Sequence, residues 1–251
     1  LLAPLDPTAQ SLRLRFLPPS WLEGGNPKYL LGTDNLGRDI LSRIIVGARA
    51  SFVVAISALA FGSVLGSLIG LASGYFGGKV DTLVMRTADG MMAFPLVLAA
   101  LLLVAVIGPG VHTVVIAASF ILWARFARLT RSEVLSVKER DFIKLARIAG
   151  ASHLRIMLVH ILPNVLNSAV VLLTLQLGFV IIVEATLSFL GAGVPPPTPT
   201  WGQMVSNGRA YIETAWWISL FPGLAIAAVV LAFNLLGDWL RDHLDPKLRQ
   251  L

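Results

Sequence analysis

The chain is expected to fold as an all-α, polytopic transmembrane helical bundle, and three observations lead there. First, 56% of its 251 residues are hydrophobic and only 14% are charged, against roughly 25% charged in soluble domains. Second, the charges are clustered: no Asp, Glu, Lys or Arg occurs in 51–78, 90–124, 156–183 or 214–237. A bilayer core needs about 20 apolar residues in a helix, so each window holds a span and 90–124 holds two. Third, Gly62, Gly66, Gly70 and Gly74 recur every four residues, one face of a helix that another backbone approaches closely.

Residues 1–50 are mixed and polar, and Pro18, Pro19, Gly24, Gly25 and Pro27 interrupt regular structure. From Arg38 to Ala50 apolar residues recur at helical spacing, either as a helix lying at the membrane interface or as one packed on the protein's own surface. Leu1 to Pro7 reads as the far end of an apolar segment, so a further helix is expected upstream. The first span is expected over 51–76, followed by a turn at 74–81. Spans over 90–107 and 111–129 follow, separated by Gly108-Pro109-Gly110, a tight turn. The second ends at Arg125, Arg128 and Arg131, whose long stems reach toward lipid phosphates.

A fourth span is expected over 164–190. The proline-rich stretch 191–204 is expected to be stiff and extended. Trp216 and Trp217 mark an interface, and the last span covers 217–237. Five spans are therefore visible. The connection 125–155 carries Arg125, Arg128, Arg131, Lys138, Arg140, Lys144, Arg147 and Arg155 against Glu133, Glu139 and Asp141, whereas 191–213 carries only Arg209 as a base. The positive-inside bias makes the basic loop cytoplasmic and the proline-rich loop external. The expected divisions are an external segment, 1–50; a membrane domain, 51–237, with a cytoplasmic loop 130–162 and an external loop 191–216; and a cytoplasmic tail, 238–251.

The basic loop contains DFIKLARIAGAS, 141–152. At 100° per residue, Arg140, Lys144 and Arg147 share a sector beside Asp141. Phe142, Leu145, Ala146 and Ala149 cluster opposite it. Gly150 is placed to end the helix in a left-handed residue, with Ala151 after it. Ser152 is placed to cap a second helix, 153–162, that Pro163 ends. A helix–glycine–helix unit is compatible with reading DNA, lying on a membrane or docking a protein. Short connections to membrane spans at both ends remove the DNA reading, and nucleic acid with it.

The spacing from Gly150 to Leu162-Pro163 resembles the cytoplasmic "EAA" loop of permeases of ATP-binding-cassette (ABC) importers. LLGTDNLGRDILSRIIVGARASF (30–52), GYFGGKVDTLVMR (74–86), LSFLGAGVPPPTPTWGQM (187–204) and LAFNLLGDWLRDHLDP (231–246) resemble the peptide/nickel branch, and its C-type dipeptide permease subunits in particular. The resemblance implies a type I importer permease fold with six spans, in a bacterial inner membrane. It implies a homologous B-type permease, two cytoplasmic ATPase subunits and an external substrate-binding protein as partners. The implied cargo is a dipeptide or short oligopeptide, with nickel or another small solute as the alternative. Lys144 and Leu145 stand where the loop's namesake glutamate and first alanine belong; Ala146 is retained.

Catalytic machinery is not expected. Gly77-Gly78-Lys79 precedes Val80 and lacks phosphate-loop spacing, so ATP and Mg are expected on partner subunits. The histidines are scattered and cysteine is absent, so no metal site is expected. Glu184 follows a long uncharged run. With Gln176 it is a candidate for a polar pathway, set against a carboxylate that merely reaches the interface. A transporter driven by ion gradients through Glu184, or a membrane scaffold, are the rival classes.

Overall fold

A computed structural model describes residues 3–244. The described residues form α1 (Ile40–Phe76), α2 (Gly78–Ala93), α3 (Leu96–Ile107), α4 (Val111–Val137), α5 (Asp141–Ile148), α6 (His153–Arg155), a π-helical turn (Ile156–Ile161), α7 (Leu162–Phe189), α8 (Trp201–Gly208) and α9 (Trp217–Leu244). Short 3₁₀ turns lie at Leu12–Leu14 and Arg209–Tyr211. Among the described residues, four helical stretches are long and apolar enough to cross a membrane, and α2 with α3 makes a fifth if the bent pair is one span.

Two compact units emerge: Leu1–Ile56, Ala100–Val115 and Gly178–Ala232 in the first, and Ser57–Ala99, Ile116–Leu177 and Phe233–Leu251 in the second. The first unit is organised by Asp34. Its Oδ1 accepts from the Leu36 and Arg38 amides (2.9 and 3.0 Å), and its Oδ2 receives Arg38 Nε at 2.7 Å. Arg43 is buried, and its Nη1 donates to the Pro7 carbonyl at 3.1 Å. Arg38, Asp39, Ser42 and Arg43 therefore turn into protein while Arg49 stays exposed, and the helix runs unbroken from Ile40 to Phe76. Among the described residues, 40–50 is continuous with the span and forms no separate interfacial helix.

Trp201 Nε1 donates to the Ile44 carbonyl at 2.9 Å, and Gly202 packs so closely on α7 that a Cβ would lie 2.6 Å from Ala185 Cα. These contacts seat α8 in the first unit. The stretch expected to be extended is thus a series of turns followed by a helix capped by Thr200, which accepts from the Gln203 amide. Trp217 is buried, its Nε1 donating to the Thr33 carbonyl at 3.1 Å, and Trp216 beside it is 38% exposed.

The second unit is built on α1 against α4. A Cβ on Gly62 would stand 2.6 Å from Leu122 Cβ, and one on Gly74 would stand 2.9 Å from Val134 Cβ. One on Gly66 would fall on the Trp123 carbonyl, and one on Gly70 would lie 2.8 Å from Ala127 Cα. The glycine stripe removes the side chains that would hold the two backbones apart. Close approach replaces the hydrophobic drive that lipid cannot supply.

The arginines of α4 find partners within the protein. Arg131 grips Asp81 of α2 in two bonds, Nε–Oδ1 at 2.7 Å and Nη2–Oδ2 at 2.5 Å, and Ser73 Oγ donates to the same carboxylate. Arg128 pairs with Asp89, and Arg125 Nη1 donates to Gln176 Oε1 of α7 at 3.0 Å. Ser168 Oγ adds a bond to Glu133 Oε1 at 3.0 Å.

The expected span 90–107 is replaced by a 16-residue helix and a 12-residue helix bent by 88°. Pro95 explains the break. A residue before proline is pushed out of the helical region, and Phe94 sits at φ −81°, ψ 131°. The preceding turn also tightens, to Gly77 and Gly78 at φ +66° and +57°.

Candidate functional site

Local sequence builds the helix–glycine–helix unit. Asp141 begins α5, where a negative charge suits the positive helix end. Ala149 caps it, and Gly150 takes φ +77°. The Gly150 amide donates to the Arg147 carbonyl and the Ala151 amide to the Ala146 carbonyl, each at 3.0 Å. This pair is a Schellman closure, and its characteristic apolar contact is present because Ala146 and Ala151 pack on the same core cluster. Ser152 then accepts from the Arg155 amide at 3.3 Å, capping the next turn.

Pro163 does not end that second helix. His153–Phe189 continues as one stretch, through the π turn. Leu162 donates to the Met157 carbonyl, five residues back, and the wider turn makes room for a proline ring that would clash in an α-helix. Asn164 Nδ2 donates to the His160 carbonyl at 2.7 Å, supplying a donor where the helix is irregular.

The inward face of α5 differs from the expected one. Ile143 is fully buried, with Leu71 and Tyr75 of α1, Val134 and Val137 of α4, and Ile156, Met157, Ile161 and Val165. Of the residues expected to form an apolar face, only Ala146 reaches this cluster. Phe142 is 39% exposed, Leu145 64% and Ile148 83%, and Ala149 is exposed. Five of the eight residues in DFIKLARI are apolar, so the stripe wraps most of the helix and tertiary contacts decide which part turns inward.

Exposed Phe142, Leu145 and Ile148 thus form an apolar ridge, and Leu154 is exposed just beyond the turn. Arg140 and Lys144 are exposed beside it, with Lys144 Nζ 3.3 Å from Asp141 Oδ1. Arg147 is exposed too, but its guanidinium lies over the Tyr75 ring at 5.7 Å. An exposed ridge of large apolar side chains on a rigidly closed turn suits an intermolecular contact.

The two polar candidates in the spans are internal. Glu184 is fully buried and does not reach an interface; its Oε2 accepts from Ser51 Oγ at 2.8 Å and its Oε1 from Ser188 Oγ at 2.7 Å. Gln176 and Arg125 both belong to the second unit, where Gln176 Oε1 accepts from Arg125 Nη1. Among the described residues, no group of three or more His, Cys, Asp or Glu stands close enough to hold a metal.

Apolar helices long enough to span a bilayer, a glycine-packed helix pair and a closed helix–glycine–helix turn define a multi-pass helical membrane protein. The chain belongs to the family of binding-protein-dependent transport system inner membrane components, which it matches over residues 66–250. It is 47% identical over 247 residues to a di/tripeptide transport system permease protein, DppC, of Pseudomonas aeruginosa, covering 98% of this chain and 82% of the relative. The dipeptide transport system permease protein DppC of Haemophilus influenzae is 46% identical over 253 residues, 99% of this chain and 84% of the relative. The fold is shared with a chain of the methionine ABC transporter MetNI in inward-facing conformations, at TM-score 0.68 and 17% identity, over 80% of this chain and 96% of that one.

Proposed function

We propose that this chain is the C-type permease subunit of an ATP-driven importer of dipeptides and short oligopeptides. The observation that carries the docking part of this reading is the ridge Phe142, Leu145 and Ile148, exposed on a turn whose own backbone bonds are closed. The peptide part rests on identity of 47% to a di/tripeptide permease across nearly the whole chain.

In this reading 141–151 docks on an ATPase subunit that binds ATP and Mg. Two such ATPases, a homologous B-type permease and an external binding protein complete the transporter. The docking loop and the C-terminus face the cytoplasm, and loop 191–216 faces outward toward the binding protein. Closure of the ATPases pulls on 141–162 and shifts the spans between inward-open and outward-open arrangements, a rigid-body switch. Ile143 transmits that pull, because it is the α5 side chain buried against α1 and α4. Glu184 holds α7 to α1 through Ser51 and itself to Ser188, a structural tie rather than a relay.

The test is reconstitution of the assembled transporter in lipid vesicles. The expected result is dipeptide uptake that needs ATP, the binding protein and co-purified ATPases together. Uptake by this chain alone under an ion gradient would overturn the reading in favour of a secondary transporter.

A further inference from the structure

The docking unit is joined covalently only to α4, through 138–140, and to α7, through the π turn. It nevertheless grips the end of α1 from both sides of its glycine turn. On the α5 side, the Arg147 guanidinium lies 5.7 Å from the Tyr75 ring centroid. On the other side, His153 Nδ1 and the Tyr75 hydroxyl share a hydrogen bond of 2.7 Å, and the two rings meet edge to face at 5.7 Å. The approach to the unit is tied there too, because Lys138 Nζ donates to the Gly74 carbonyl at 2.9 Å.

Tyr75 is 8% exposed and belongs to the cluster that buries Ile143. One side chain thus meets both arms of the unit and is anchored in the apolar seat beneath it. The apolar contacts of that seat are non-directional and let packed elements slide. The hydroxyl–imidazole bond fixes a distance and an angle. Gly74, next in sequence, is the last residue of the stripe that presses α1 onto α4. A displacement of the unit that moves Tyr75 therefore moves a helix to which the unit has no covalent link.

We infer that Tyr75 is the positioning residue that carries movement of the docking unit into α1, with His153 as its partner on the unit. The inference rests on the docking reading above. Without this tie, ATPase closure would be delivered to α4 and α7 and lost in part before it reached α1. The consequence is specific: ATP would still be hydrolysed, but fewer peptides would cross for each ATP consumed.

The experiment uses the assembled transporter in lipid vesicles, with dialanine as the probe and ATP hydrolysis measured in parallel. Tyr75→Phe removes only the hydroxyl, and His153→Ala removes its partner, together with that ring's contacts to Tyr75 and Phe76, from an exposed position. Each is expected to lower dialanine imported per ATP hydrolysed by roughly threefold to tenfold, the loss of one hydrogen bond. ATPase subunits are expected to co-purify at the unaltered ratio. The double variant is expected to be no worse than His153→Ala alone, since that change already removes the bond that Tyr75→Phe would lose. His153→Asn, which keeps a polar atom near the Nδ1 position, is expected to restore most of the ratio. Single variants with the unaltered import ratio, or losses that multiply in the double variant, would overturn the inference. Failure of the unaltered chain to retain ATPases would instead overturn the docking reading itself.

Discussion

Gly150→Val is expected to reduce ATP-dependent uptake at least tenfold while Gly150→Asn stays close to the unaltered chain. Gly150 sits at φ +77°, and a Cβ placed there would meet nothing within 4 Å. The penalty for valine is therefore conformational and not steric. A left-handed residue with a Cβ costs roughly 1–2 kcal/mol, and β-branching adds to it, whereas asparagine visits this region readily. Relief of the strain opens the bonds from Gly150 to Arg147 and from Ala151 to Ala146. Leu145 and Ile148 then leave the positions in which the closed turn presents them. Uptake and ATPase stimulation measured side by side in vesicles check this; equal loss in both glycine variants would mean that side-chain-free space, not conformation, is what position 150 requires.

Gly66→Val is expected to be the most damaging single substitution for the fold. The new Cβ would fall on the Trp123 carbonyl and lie 2.8 Å from Phe126 Cβ, and Phe126 is fully buried. Backbone cannot yield as a flexible side chain does, so α1 and α4 must separate. Overpacking costs about 1–3 kcal/mol and occasionally more, and separation also stretches the neighbouring contacts at Gly62 and Gly70. Thermal unfolding of the purified chain is the measurement, with Gly90→Ala as the control. Gly90 lies in α2 with nothing within 4 Å of a new Cβ, so alanine there is expected to be neutral or to stabilise by about 0.5–1 kcal/mol. A Gly66→Val protein that melts with the unaltered one would remove the glycine stripe from the account.

Features that depend on neighbours in the chain were legible in the sequence, and features that depend on tertiary partners were not. Charge-free windows located the long helices, and the period of four glycines identified a packing face, but nothing in the string named α4 as its partner. Gly150 and Ser152 were readable because a Schellman closure and a serine cap involve residues at most five apart. Pro163 reads as a stop because proline is costly inside an α-helix, whereas Ile156–Ile161 is π-helical. The start of α1 was displaced because Ser42, Arg43 and Arg49 resemble an interfacial face until Asp34 and the Pro7 carbonyl supply partners for Arg43. The window 90–124 hid the break at Pro95, since apolar composition records hydrophobicity and not direction.

The proposed docking site divides in the same way. Its turn was foreseen, while its inward face was not, because five apolar residues in eight leave the helix without a single apolar side. Ile143 and Ile148 then took opposite fates, one fully buried and the other 83% exposed. Tyr75 lies 65 residues or more from the loop it contacts, and no local pattern connects them.

The chain contains no cysteine, so single cysteines introduced at Leu145, Ile148 or Ile143 report on one position at a time. Crosslinking of these variants within the assembled transporter, through a short thiol-to-amine reagent, tests the docking ridge most directly. The expected result is an adduct with an ATPase subunit from positions 145 and 148 and none from the buried position 143. Absence of any ATPase adduct from both exposed positions, in a complex that still hydrolyses ATP and imports peptide, would contradict it.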